Sequence, residues 1–319
     1  SATMHRLLRA AMRGSFCQAV RRRSLTASAQ ERAPSPELVF LQRPKFGSFS
    51  SATKILEVHE LYRPLMQTCD SASALFHVGR LARRRADLPQ PQLRALVDSL
   101  RRPRGWRPED VSAACMGAHY LRLRDAGLAQ VLRGAARRKV HRFTAREAAN
   151  VMACLPRMAP DDHLLQGQLA ARVTRMADQL TPQEVAMVLS VAPLLSPLAS
   201  VTAMAARVAE VACDLAPRFS AAEVATGLRA SRRLGMGSDS VLAQAMLERL
   251  GPVLLDMSVK DLRSSESVLR AYGLQESDAY ALVRAEIEFK RQDKEAAMAG
   301  PAPPGPGPDC ASTRPEVLQ

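Results

Sequence analysis

His163 follows Asp161 and Asp162, and a histidine beside two carboxylates is a donor set for a metal ion or for proton transfer. The same three residues open a helical stretch, where Asp accepts first-turn N–H groups, so capping is the favoured reading. Gly235-Met236-Gly237 has glycines spaced as in a phosphate loop but lacks the strand before it and the lysine after it, and reads as a turn. The cysteines at 17, 69, 115, 154, 213 and 310 show no ligand spacing; Cys115 and Cys154 fall where neighbouring units carry Ala, Val or Leu and are expected to be buried thiols. His59, His77, His119 and His141 are scattered. No catalytic residue, cofactor or metal ligand is therefore expected, and the chain reads as a binding protein.

The chemistry that does accumulate is cationic. The net charge is +14 over 319 residues, and residues 80–142 alone carry sixteen basic residues against five acidic ones, or +11. Residues 143–319 contribute −3. Arg80, Arg83, Arg84 and Arg85 form a first cluster, Arg101, Arg102, Arg104 and Arg107 a second, and Arg137, Arg138, Lys139 and Arg142 a third, with Arg122 and Arg124 between the last two. The clusters recur about one repeat length apart, so stacking brings them toward a stripe that tracks a phosphate backbone. Some basic residues at helix ends only offset the helix dipole. An excess of eleven in sixty-three residues exceeds that need, and these fourteen residues are the expected RNA contacts. A weaker column, Arg83, Arg157 and Arg233, stands fourteen residues into its units and fits backbone contact or dipole compensation equally. Aromatic residues make up 4% of the chain and fall mostly at core positions, so phosphate contact is expected without base reading.

These residues are positioned by a repeat. An apolar anchor, a helix start and a small-residue-rich stretch recur at Cys69, Trp106, Phe143, Leu180, Phe219 and Met257, spaced 37, 37, 37, 39 and 38 residues apart. Phe143-Thr144-Ala-Arg-Glu147, Leu180-Thr181-Pro-Gln-Glu184 and Phe219-Ser220-Ala-Ala-Glu223 each contain a capping box, in which the hydroxyl takes a first-turn N–H and the carboxylate reaches back. The anchor before each cap fits a hydrophobic staple. Ser258 to Asp261 is a weaker copy. Five residues after the anchors stand Ala74, Val111, Ala148, Val185, Val224 and Leu262; twelve after stand Leu81, Ala118, Leu155, Ala192, Ser231 and Leu269. Fifteen after stand Arg84, Leu121, Met158, Leu195, Leu234 and Tyr272, and the three columns are expected to share one interface. Second helices are expected to start within Asp161-Asp162-His163-Leu164-Leu165, Ser238-Asp239-Ser240-Val241-Leu242 and Ser277-Asp278-Ala279-Tyr280. First helices are expected to stop near Pro156 to Pro160, Pro193 to Pro197 and Gly235 to Gly237. The fold class is all-α, a right-handed α-solenoid of about six helix hairpins with a 37–39 residue period, in which stacking buries what one hairpin cannot.

Residues 1–30 are rich in Arg and Ser, with no acid from Met4 to Gln30, and read as a mitochondrial transit peptide. Residues 31–68 read as a linker and a docking helix near Lys54 to Leu65, residues 69–294 as the repeat domain, and residues 295–319 as a disordered Pro/Gly-rich tail. No stretch is apolar enough to span a membrane.

Phe143-Thr-Ala-Arg-Glu-Ala-Ala-Asn-Val-Met-Ala-Cys-Leu155 resembles the first helix of the octotricopeptide and heptatricopeptide repeats, α-solenoids of organellar proteins in algae and alveolates. The resemblance covers residues 69–294 and implies organellar RNA handling, with ribosomal RNA or a transcript as partner. The RAP domain that often ends such proteins has no counterpart after Lys294. The resulting expectation is a non-catalytic RNA-binding protein of the mitochondrial matrix, in or near the mitochondrial ribosome. The alternative is a structural subunit of a respiratory or ATP-synthase complex, supported by the nearly neutral second half.

Overall fold

Each capping box starts a helix where the sequence places it. The Thr144 amide donates to Glu147 at 2.8 Å, that of Thr181 to Glu184 at 2.9 Å and that of Ser220 to Glu223 at 2.7 Å. The computed structural model describes residues 44–82, 87–101 and 105–299, and among them thirteen α-helices and no strand. The chain is therefore all-α over the described residues. The transit-peptide reading, most of the linker and the tail from Gly300 lie outside them, as do Arg83, Arg84, Arg85, Arg102 and Arg104.

Helix α1 (Ala52–Tyr62), followed by a single 3-10 turn (Arg63–Leu65), precedes six helix pairs. These are α2 (Thr68–Leu81) with α3 (Gln90–Leu100), α4 (Pro108–Tyr120) with α5 (Ala126–Lys139), and α6 (Ala145–Met158) with α7 (His163–Arg175). There follow α8 (Pro182–Val191) with α9 (Ala199–Leu215), α10 (Ala221–Arg233) with α11 (Val241–Val253), and α12 (Val259–Ala271) with α13 (Asp278–Ala299). First helices pack on first helices in chain order, from α2 on α4 through to α10 on α12, and second helices pack likewise, from α1 on α3 through to α11 on α13. Each pair closes as an antiparallel hairpin. In two of them an arginine near the end of the second helix donates to the anchor carbonyl at the start of the first: Arg172 Nε to Phe143 at 2.9 Å, and Arg249 Nε to Phe219 at 3.1 Å.

The first unit starts three residues earlier than its sequence suggests. The N-cap of α2 is Gln67, whose amide donates to Asp70 at 2.9 Å, so the anchor is Met66 and Cys69 lies inside the helix. Val78 and Leu81 then take positions twelve and fifteen of the first unit, in place of Leu81 and Arg84. Asp110 takes the amide of Arg107 in the same way at 3.0 Å. An acid four residues after the anchor is thus common to all six units, even where the cap is neither Ser nor Thr.

The anchors Trp106, Phe143, Leu180, Phe219 and Met257 are buried, as is the residue five positions on, the two ends of a hydrophobic staple. Burying a ring such as Phe143 or Phe219 stabilises its unit by about 2–3 kcal/mol. Helix α6 ends at Met158, within the Pro156 to Pro160 stretch expected to stop it; Pro156 lies in the last turn, where it removes only one hydrogen bond. Helix α13 continues to Ala299, beyond the boundary at 294.

The first helices of the first two hairpins approach most closely. A Cβ on Gly117 of α4 would lie 2.6 Å from the carbonyl carbon and oxygen of Leu75 in α2, and one on Gly79 would lie 2.9 Å from the Gly117 oxygen. Only glycine permits that backbone contact.

Candidate nucleic-acid interface

The helix ends decide which basic residues are free. Arg101, just past α3, donates through Nε to Asp125 at 3.3 Å and pairs with Asp98 at 2.9 Å. Asp125 caps α5 by accepting the Leu128 amide at 2.8 Å. One hairpin later the same device returns. Arg137 of α5 reaches Asp162 at 2.5 Å, with Arg133 at 3.7 Å, while Asp162 caps α7 through the Leu165 amide at 3.1 Å. Burial alone would raise the Asp162 carboxyl; the bonds from Arg137 and Leu165 and the charges of Arg137 and Arg133 outweigh it and hold the group below the ordinary carboxylate value. Arg107 is held by Asp110 at 3.2 Å and by Glu109 at 3.2 Å. Three of the fourteen expected RNA contacts, Arg101, Arg107 and Arg137, therefore hold the fold together.

Among the described residues, Arg80, Arg122, Arg124, Arg138 and Arg142 are exposed, Lys139 is half-buried, and none of the six has a carboxylate partner. They form no single cluster. Arg122 and Arg124 lie in the turn before α5, while Arg138, Lys139 and Arg142 lie at its far end, about 20 Å away for a helix of fourteen residues. Arg122 and Arg124 line a cavity of about 660 Å³ with Arg157, His119, Cys115 and Cys154. Hydrogen bonding to Cys115, then burial, pushes the Cys154 thiol well above its usual value, so it stays protonated and unreactive.

Arg122 is also conformationally unusual. It has φ +50° at the position where Gly235 and Gly273 have φ +74° and +73°. All three close their helices alike: the Arg122 amide bonds the His119 carbonyl at 3.0 Å and that of Leu123 bonds Ala118 at 2.9 Å, a pattern repeated at Gly235 with Met236 and at Gly273 with Leu274. Gly235-Met-Gly237 is accordingly a helix end.

His163 is likewise a structural group. Its Nδ1 lies 2.8 Å from the Ser196 hydroxyl while Asp162 is occupied by the cap and the arginines. Among the described residues no group of three His, Cys, Asp or Glu could hold a metal.

One feature escaped the sequence reading. A groove of about 560 Å³ crosses the first helices of the first four hairpins, lined by Phe76, Tyr120, Arg146, Asn150, Arg157 and Leu194, with His119 shared with the neighbouring cavity. Tyr120 is 44% exposed and its ring lies 6.2 Å from Phe76 and 6.1 Å from His119. Burial, then Arg157 and Arg122, lowers the His119 pKa, so its ring is neutral at pH 7. The signal was present in the sequence. With Met66 as first anchor, position fourteen reads Arg80, Tyr120, Arg157, Leu194, Arg233 and Ala271.

The sequence matches no protein-family model, and no curated protein matches it significantly. No helix among the described residues is long and apolar enough to cross a membrane.

Proposed function

We propose that the chain is a right-handed α-solenoid of six hairpins with a 37–39 residue period, and that it is a non-catalytic RNA-binding protein of the mitochondrial matrix. The layered packing of first on first and second on second helices supports the solenoid. The RNA reading is carried by one observation: six cations at the two ends of α5 and at Arg80 have no carboxylate partner among the described residues, in a segment of net charge +11. Cations left unpaired by the fold are available to phosphates. Ribosomal RNA or a transcript, bound within a ribosome-associated complex, is the proposed partner.

The test is equilibrium binding of the full chain to RNA across a salt series. Affinity is expected to fall steeply and linearly in log–log form, and reversal to Glu at Arg122, Arg124, Arg138 and Arg142 to shallow the slope by about three to four. Binding that ignores both salt and these reversals rules the reading out.

A second reading, a structural subunit of a respiratory or ATP-synthase assembly, draws support from α13, where Leu282 and Phe289 are 52% and 64% exposed seven residues apart on one helix face. Sedimentation of the native protein from organelles that survives nuclease treatment selects it over the first.

A further inference from the structure

Position fourteen places an ordered row along the ends of successive first helices: Arg80, Tyr120, Arg157, Leu194 and Arg233. The middle three line the groove together. Gly79 brings its helix against Tyr120, since a Cβ there would meet the Tyr120 Cβ at 3.0 Å, and the charge of the neighbouring Arg80 acts on the Tyr120 hydroxyl. Cations thus flank an exposed aromatic face and an exposed Leu194. Arg157 gives one N–H to the His119 carbonyl at 3.2 Å, which leaves its other donors for the groove. Arg146 adds a 78% exposed guanidinium with Oε1 of Glu184 at 4.0 Å, the long limit of an ion pair, while the other Glu184 oxygen takes the Thr181 amide. Asn150 donates to Ser112 at 3.0 Å and keeps its carbonyl oxygen as an acceptor.

This combination suits an unpaired nucleotide. Its base has two π faces and an edge of donors and acceptors, and its two phosphates need cations on either side. A duplex keeps its bases stacked inside and has no face to offer Tyr120. We propose that the groove binds single-stranded RNA, with one base stacked on Tyr120 and the flanking phosphates on Arg80 and Arg157. The proposal rests on the RNA reading above and narrows it to unpaired segments. Protein docking in the same groove is disfavoured by the alternation of cations with single apolar groups.

The experiment compares the full chain with Tyr120→Ala, Tyr120→Phe and Arg146→Gln, measuring binding to a single-stranded oligonucleotide and to an RNA hairpin stem of equal length at one low salt concentration. Tyr120→Ala is expected to weaken single-strand binding roughly tenfold, with stem binding unchanged and Tyr120→Phe close to the parent. Arg146→Gln, at an exposed position that folding does not need, is expected to weaken single-strand binding about threefold. Photo-crosslinking of a 5-iodouridine-substituted strand is expected to map to the peptide containing Tyr120. If single-strand binding persists undiminished in Tyr120→Ala, the groove assignment falls while the RNA reading stands. If the parent chain binds neither RNA, both fall. A partner protein crosslinked at Tyr120 in nuclease-treated extract overturns the assignment in favour of protein docking.

Discussion

The first two hairpins, α2/α3 and α4/α5, are joined differently from the pairs that follow. Between α2 and α4 the backbones touch across Gly79 and Gly117, whereas α8 and α10 meet through buried Val185, Val188, Leu189, Val224 and Leu228. The first junction also lies in the segment of highest positive charge and is cross-linked by a carboxylate from the second hairpin, Asp125 on Arg101; Asp162 on Arg137 does the same at the junction that follows. Side-chain packing suffices where the charge is near balance. Where like charges crowd, the structure uses closer backbone approach and the capping carboxylates Asp125 and Asp162 to hold neighbouring hairpins together.

The widest break in that comparison should come from Gly117→Val. Its Cβ would stand 2.6 Å from the Leu75 backbone, and backbone cannot rotate aside as a side chain can. A loss of about 3 kcal/mol or more is expected in urea unfolding. Trp106 is the chain's single tryptophan and is buried just before α4, the helix that carries Gly117, so its fluorescence should report the loss at lower urea than circular dichroism of the whole chain.

The second test uses pH. His59 of α1 is buried, with Nε2 3.2 Å from the Ser71 hydroxyl and 3.5 Å from that of Ser99, and its Nδ1 has no partner. Burial lowers its pKa to about 4. A lowered folded-state value means that the unfolded chain takes up a proton first as pH falls. The stabilisation is full above about pH 6.5 and is lost as pH drops toward about 4. The Trp106-reported stability should decline by an order of 2 kcal/mol over that window, and His59→Gln should flatten the decline. An equal decline in the variant would place the acid sensitivity elsewhere.

The smallest effect has the opposite sign. Arg122 adopts the left-handed conformation that Gly235 and Gly273 adopt in later hairpins. Arg122→Gly should raise the melting free energy by about 1 kcal/mol while weakening RNA binding. A variant that is no more stable would mean that Arg122 has contacts compensating for its backbone.

Much of the fold could be read because its signals are local. Thr144 with Glu147, and Thr181 with Glu184, lie three residues apart, and their boxes start the helices that the sequence indicated. The first unit was misplaced because its cap is Gln67, which resembles no Ser or Thr box, although Asp70 kept the shared acid. The candidate site was less legible because its chemistry depends on long-range pairing. Nothing in the sequence around Arg101 or Arg137 announces a carboxylate 24 or 25 residues further on, in another hairpin. Nor do Tyr120, Arg157 and Leu194 look related until their helices stand side by side and one position of the repeat becomes one edge of a groove.

Asp125 and Asp162 each belong to two hairpins at once, as the first turn's acceptor in one and the ion-pair partner of the one before. Separating the hairpins would take the arginine away from the carboxylate that caps α5 or α7, and fraying of either helix would loosen the carboxylate that holds the arginine of the hairpin before. Opening should therefore propagate from hairpin to hairpin through this stretch, and amides on both sides of each aspartate should exchange with solvent as one unit. A stretch that opens as one unit also closes as one, so α3, α5 and α7 should be protected from exchange to a similar degree.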